Sequence, residues 1–100
     1  MSEQVIEIQT QEGLVSISAS VYGYFAIHPS VNWPGGDYAV THVPTGRLVA
    51  GELSRRQALR LVRKVKALGL NWDFTDHRRS LGYGPVVKPL IAEIKAAGPR

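Results

Sequence analysis

Six cations and no carboxylate lie between Ser54 and Gly69: Arg55, Arg56, Arg60, Arg63, Lys64 and Lys66. At a helical advance of about 100° per residue, Ala58, Leu61, Val62, Val65 and Leu68 share one face. Arg56, Arg60 and Arg63 share the opposite face, with Lys64 at its edge. Such a helix buries one side and offers guanidinium groups on the other. Phosphate recognition asks for this arrangement, several cations on one surface with each reaching a different phosphate. Arg56 to Arg63 span ~10 Å of helix at the usual rise per residue. Arg78 and Arg79 extend the patch if their loop folds alongside. An acidic protein surface suits the same face, because the planar arginine fork pairs carboxylates. A basic amphipathic helix also suits an anionic membrane. Here its apolar face is needed by the rest of the domain, so no membrane contact is expected.

Aromatic side chains would add stacking on unpaired bases. Tyr22, Tyr24, Tyr38, Trp33 and Trp72 are available, but the sequence does not place them beside the arginines. No helix-turn-helix, RNA-recognition or zinc-finger signature is present. The signal is electrostatic and carries no base preference.

Catalytic groupings are thinner. Nucleophilic hydrolysis needs a nucleophile beside a base that a third group holds. Serines and His28, His42 and His77 are present, with no nucleophile-elbow motif joining them. Asp73, Asp76 and His77 are the best local cluster for a divalent metal or a proton relay. In an extended segment, however, the two aspartates point to opposite sides. The plainer reading has Asp76 capping a turn and His77 adding to the basic surface. His28 and His42 lie on β-prone runs and could meet across adjacent strands. Two histidines alone do not make a zinc site, so hydrogen-bonded structural roles are expected. Gly82-Tyr83-Gly84 before Pro85 lacks the long glycine loop and the Lys-Ser/Thr of a phosphate cradle and reads as a connector. No catalytic residue, metal or cofactor is assigned.

The elements that would position these groups follow from periodicity. Ile6 and Ile8 alternate with Val5, Glu7 and Gln9. Val15, Ile17, Ala19 and Val21 alternate with Ser16, Ser18 and Ser20, giving a half-buried hairpin around Gln11-Glu12-Gly13. Tyr22 to His28 is a third strand, with Gly23 as a bend and Pro29 as its end. The stretch from His28 to Asp37 holds two prolines and two glycines and reads as a loop. It carries Trp33, either as a lid on the core or as a contact residue. Tyr38–Val43 and Arg47–Glu52 flank Pro44-Thr45-Gly46, the clearest hairpin in the chain. Ser54 with Gln57 forms a capping-box pattern and Gly69 a helix stop. Asn71 to His77 reads as a short extended or turn segment, in which the alternation of Trp72 and Phe74 with Asp73 would suit a last strand. Pro85 to Ala97 could form a second helix on the stripe Leu90, Ile91 and Ile94; because proline sits well at a helix start and badly in its interior, the helix is expected from about Pro89 to Ala97. Strands first and helices after predict one α+β domain over residues 1–100. Its antiparallel sheet of four to five strands is packed on one face by the long amphipathic helix and the short C-terminal one.

Composition sets the outer bounds. The chain has 100 residues, 44% of them apolar, and a formal net charge of +4. No cysteine is present, which excludes disulfides, thiolate zinc sites and a cysteine nucleophile. The acidic, polar start does not resemble a secretory signal, and no apolar run approaches the ~20 residues that span a bilayer. A cytoplasmic protein is expected. The charge is divided unevenly. Residues 1–52 hold five acids against Arg47, whereas residues 53–100 hold eleven Lys or Arg against Asp73, Asp76 and Glu93. A field of that kind steers polyanions to the basic end.

Tyr24-Phe-Ala-Ile-His-Pro29, Thr41-His-Val-Pro-Thr-Gly-Arg47 and Leu53-Ser-Arg-Arg-Gln-Ala58 together resemble small proteins of phages and other mobile elements, anti-CRISPR proteins among them. The resemblance covers about half of the chain. It implies inhibition by occupying a host defence complex, in the host cytoplasm, without catalysis. Many proteins of that type are acidic mimics of DNA, and the basic balance here departs from that pattern. Two roles are therefore carried forward. One is docking of the basic helix on nucleic acid or a nucleoprotein; the other is docking on an acidic host protein surface. An Asp/His-based hydrolase is the third and weakest reading.

Overall fold

The computed structural model describes residues 2–10, 13–30, 37–75 and 83–97. Five strands form one antiparallel meander: β1 (Ser2–Thr10), β2 (Gly13–Tyr22), β3 (Phe25–Pro29), β4 (Tyr38–His42) and β5 (Arg47–Leu53). Among the described residues two helices follow, α1 (Arg55–Ala67) and α2 (Gly84–Ala96). The α+β expectation therefore holds.

The first hairpin keeps the register that its alternation demands. Ile6 opposes Ile17 and Ile8 opposes Val15, so all four turn to the same side. On the other side the carboxylate of Glu3 accepts the hydroxyls of Ser18 and Ser20 at 3.4 and 3.1 Å. The sheet is not flat. Four inter-strand spacings of ~4.8 Å would hold β1 and β5 roughly 19 Å apart, yet residues of these strands come within 8 Å. The sheet therefore coils until its two edges approach. Ile6, Ile8, Ala19 and Ala26 pack inside the roll with Val15, Ile17, Val21 and Val43.

The opposite face carries the larger core. Phe25, Ile27, Val40, Ala50 and Leu53 meet Ala58, Leu61, Val62 and Val65 of α1, and Val87 and Ile94 of α2 close the cluster. A bulge makes this junction. Tyr38 opposes Leu53 and Val40 opposes Ala50, so β5 has Gly51 and Glu52 where β4 has only Ala39. The extra residue flips the parity and returns Leu53, fully buried, to the helix side just before α1. Glu52 takes the strain, at φ 57 in the left-handed region. Its side chain is exposed. Glu52→Gly should therefore stabilise the fold by up to about 1 kcal/mol, seen as a higher urea midpoint.

Two expectations fail at the C-terminal side. Asn71–Thr75 is not a strand. Trp72 and Phe74 are buried as their alternation suggests, but the backbone is satisfied locally. The Asp73 N–H donates to Asn71 Oδ1 at 2.9 Å and the Phe74 N–H to the Trp72 carbonyl at 3.0 Å. The Tyr83 hydroxyl donates to the Asn71 carbonyl at 2.8 Å. With those groups occupied, no ladder is needed to bury the rings.

Helix α2 starts at Gly84 instead of Pro89 and carries Pro89 inside it. Proline deprives the Pro85 carbonyl of its intrahelical partner at a cost of ~3 kcal/mol. Val87, Leu90, Ile91 and Ile94 recur at helical spacing and pack into the core. Burial of that stripe, at ~1.5–3 kcal/mol per large apolar side chain, outweighs one lost bond.

Candidate functional site

Local chemistry fixes the position of α1. The Ser54 side chain accepts the Gln57 N–H at 3.1 Å, and Gln57 Oε1 accepts the Ser54 N–H at 2.9 Å. This reciprocal cap satisfies two donors that a helix start leaves open. At the other end Gly69 takes φ 69 and donates to the Lys66 carbonyl. Between them Gln57, Ala58, Leu61, Val62 and Val65 are buried, while Leu68 is 37% exposed and lies outside the core stripe predicted for it.

The outward face holds Arg56, Arg60 and Arg63, all exposed, with Arg55 and Lys66 exposed at its margins. Its electrostatics oppose helix stability. Arg56 and Arg60, Arg60 and Lys64, and Arg60 and Arg63 are like-charged neighbours at helical spacing, which repel. Arg55 and Arg56 stand in the first turn, where the helix dipole is positive and acids are favoured; no acid is present there. Among the described residues the one ion pair of this helix joins Lys64 Nζ to Glu93 Oε1 of α2 at 3.2 Å. Lys64, expected as an auxiliary of the patch, thus has a carboxylate partner on α2. Both partners are well exposed, so the pair is screened and weak. Arg78 and Arg79, the other expected auxiliaries, lie outside the described residues, as do Asp76, His77 and Trp33.

Lys66 extends the cations toward the sheet. Its Nζ lies 3.7 Å from where a Cβ on Gly23 would stand, over the β2–β3 turn. The next residue, Tyr24, is 43% exposed. Trp72 is in the core, and Tyr22 and Tyr38 are half-buried. Of the described aromatic candidates for stacking, Tyr24 is therefore the accessible one. Sequence periodicity missed this because the contact joins a helix to a turn more than forty residues earlier.

The histidines do not meet. Phe25 and Ile27 oppose His42 and Val40 on the helix side, whereas Ala26 and His28 oppose Thr41 and Ala39 on the enclosed side. His28 Nδ1–H donates to the Pro29 carbonyl at 2.8 Å, leaving Nε2 to accept the Thr41 hydroxyl at 2.8 Å. His42 Nε2–H donates to the Trp72 carbonyl at 2.7 Å, and Nδ1 accepts from Thr45 at 2.9 Å. Among the described residues no group of three or more His, Asp or Glu is placed to hold a metal. Burial lowers the pKa of both histidines below the ordinary 6.5, opposed in part by the bonds to the Pro29 and Trp72 carbonyls. The unfolded chain therefore binds more protons than the folded one below about pH 7. Stability should be complete above pH ~7.5 and fall as pH drops through 6.5, by at most about 1.4 kcal/mol per pH unit per histidine. Urea melts at pH 7.5 and 5.5 check this, and His42→Gln should flatten the slope. A protein more stable at pH 5.5 would contradict the neutral, buried assignment.

Among the described residues no helix is long and apolar enough to cross a membrane. Comparison with protein-family models, curated proteins and solved structures returned no match.

Proposed function

We propose that this protein works by binding, and that the outward face of α1 docks on the phosphate backbone of nucleic acid, free or within a nucleoprotein complex in the cytoplasm. One observation carries the reading. Arg56, Arg60 and Arg63 stand exposed in a row whose mutual repulsion no described carboxylate relieves. A helix selected for stability alone would intersperse acids at these positions. A line of unneutralised guanidinium groups instead suits a ligand that brings regularly spaced negative charge. Tyr24, exposed on the β2–β3 turn whose Gly23 lies by Lys66, offers a ring for an unpaired base.

The resemblance to anti-CRISPR proteins supports a second occupant of the same face, an acidic surface of a host defence complex. Mobility shifts on random-sequence duplex DNA and single-stranded RNA, at low salt, separate the two. Nucleic-acid docking predicts a shift with either probe or both. A protein-only inhibitor predicts none, together with stoichiometric co-purification of one protein from nuclease-treated lysate.

A further inference from the structure

A groove of about 460 Å³ opens between the β4–β5 hairpin and the first turns of α2. Its size falls within the ~300–1,000 Å³ usual for small-molecule sites. The walls are apolar, formed by Leu48, Val49, Val87 and Ile91 with the rings of Trp72 and Tyr83. Arg47 and Lys88 also line it, and among the described residues no carboxylate does.

Lys88 is poorly matched to its surroundings. Its Cε lies 4.0 Å from where a Cβ on Gly84 would stand, so the side chain folds back along the first turn of α2. A helix N-terminus is already positive. This one has no side-chain cap and no acid in its first turn. Arg47 brings a second exposed cation to the same groove, and neither cation makes an ion pair among the described residues. Among the described residues, positive charge thus stands without a paired carboxylate beside an apolar wall.

We propose that this groove binds a small organic anion with a carboxylate head and an apolar, ring-containing body. The head lies between Arg47 and Lys88 beside the first turn of α2, and the body lies against Trp72, Tyr83 and Val87. A polyphosphate backbone would use the cations but leave the apolar wall in water. An uncharged apolar molecule would leave the cations unmatched. The site is separate from the α1 face, since Arg56, Arg60 and Arg63 do not line it. Its fate therefore does not decide the docking reading.

The test uses naphthylacetate and its neutral analogue naphthylacetamide, with affinity from calorimetry and location from amide and indole NMR shifts. The expected result is saturable binding of one equivalent of the acid, with shifts at the Trp72 indole N–H and at Val87 and Ile91. The amide should bind at least ~10-fold more weakly, because it forfeits the charge-assisted contacts. The double variant R47Q/K88Q should bring the acid down to the affinity of the amide. Both cations are exposed, so that variant should keep the fold, and the comparison of acid with amide on the native chain needs no variant at all. Absence of saturable binding by the acid, equal affinity for the two ligands, or shifts confined to α1 would each overturn the proposal.

Discussion

Phe25→Ala should destabilise the fold by about 3–5 kcal/mol, a large part of the ~5–15 kcal/mol that holds a domain of this size together. Phe25 sits on the middle strand of the sheet and is 1% exposed. Its ring meets Trp72 edge-on, with centroids 5.0 Å apart at 72°, and lies 5.9 Å from the His42 ring. Trp72 in turn meets Tyr83 at 4.6 Å and 71°, and His42 lies 4.7 Å from Phe74. These contacts join β3, β4, the segment after α1 and the start of α2. Truncating Phe25 opens a cavity where four parts of the chain converge, so little can collapse to fill it. The urea midpoint should fall with the slope unchanged, and the melting temperature should drop by roughly 15–30 °C. A loss below about 1 kcal/mol would mean that the aromatic cluster does not bind these elements together.

The triple variant R56E/R60E/R63E should lose nucleic-acid binding by ~1,000-fold or more while melting no lower than the native protein. Three phosphate contacts become three repulsions, and the formal net charge falls from the +4 of the native chain to a negative value. The fold should not suffer. The three side chains are exposed and make no ion pair among the described residues. R56E places an acid in the first turn, where the helix dipole favours it, and R60E and R63E set acids against Lys64 and Lys66; the 56/60 and 60/63 pairs stay like-charged, so repulsion along the row is exchanged and not increased. An unchanged or raised melting temperature with lost binding would assign the arginines to a partner. A melting temperature lowered by many degrees would assign them to the fold and remove the argument for docking.

What the sequence revealed, and what it hid, divides by range of interaction. The β1–β2 hairpin was readable because alternation of Ile6 and Ile8 against Glu7, and of Val15 to Val21 against three serines, reflects one face being covered. The Pro44-Thr45-Gly46 turn and the Ser54–Gln57 cap were readable because their bonds close within a few residues, as with Gly46 N–H to the His42 carbonyl at 2.9 Å. The outward set Arg56, Arg60 and Arg63 followed from helical period alone. Contacts between distant segments gave no such signal. Glu93 stands nearly thirty residues from Lys64, so periodicity could not show that the lysine is paired. The coil of the sheet depends on twist and bulges, and β5 hides two register shifts, at Val49 and at Gly51–Glu52, in an ordinary run of residues. Trp72 and Phe74 look strand-like because burial on one side resembles a ladder in sequence, yet Asn71 and Tyr83 provide the bonds instead. Pro89 reads as a helix start until the packing of Val87 is known. The groove with Arg47 and Lys88 assembles from a hairpin and a helix that lie far apart in the chain.

The account rests on the guanidinium row of α1 gripping a phosphate backbone. Its most direct test is the affinity of the native protein for a random-sequence duplex, measured by fluorescence anisotropy across a salt series. Three phosphate contacts predict that log affinity falls against log salt with a slope of roughly −3, a loss of roughly 40-fold between 50 and 200 mM. Absence of binding even at the lowest salt, or binding whose affinity is indifferent to salt, would contradict it.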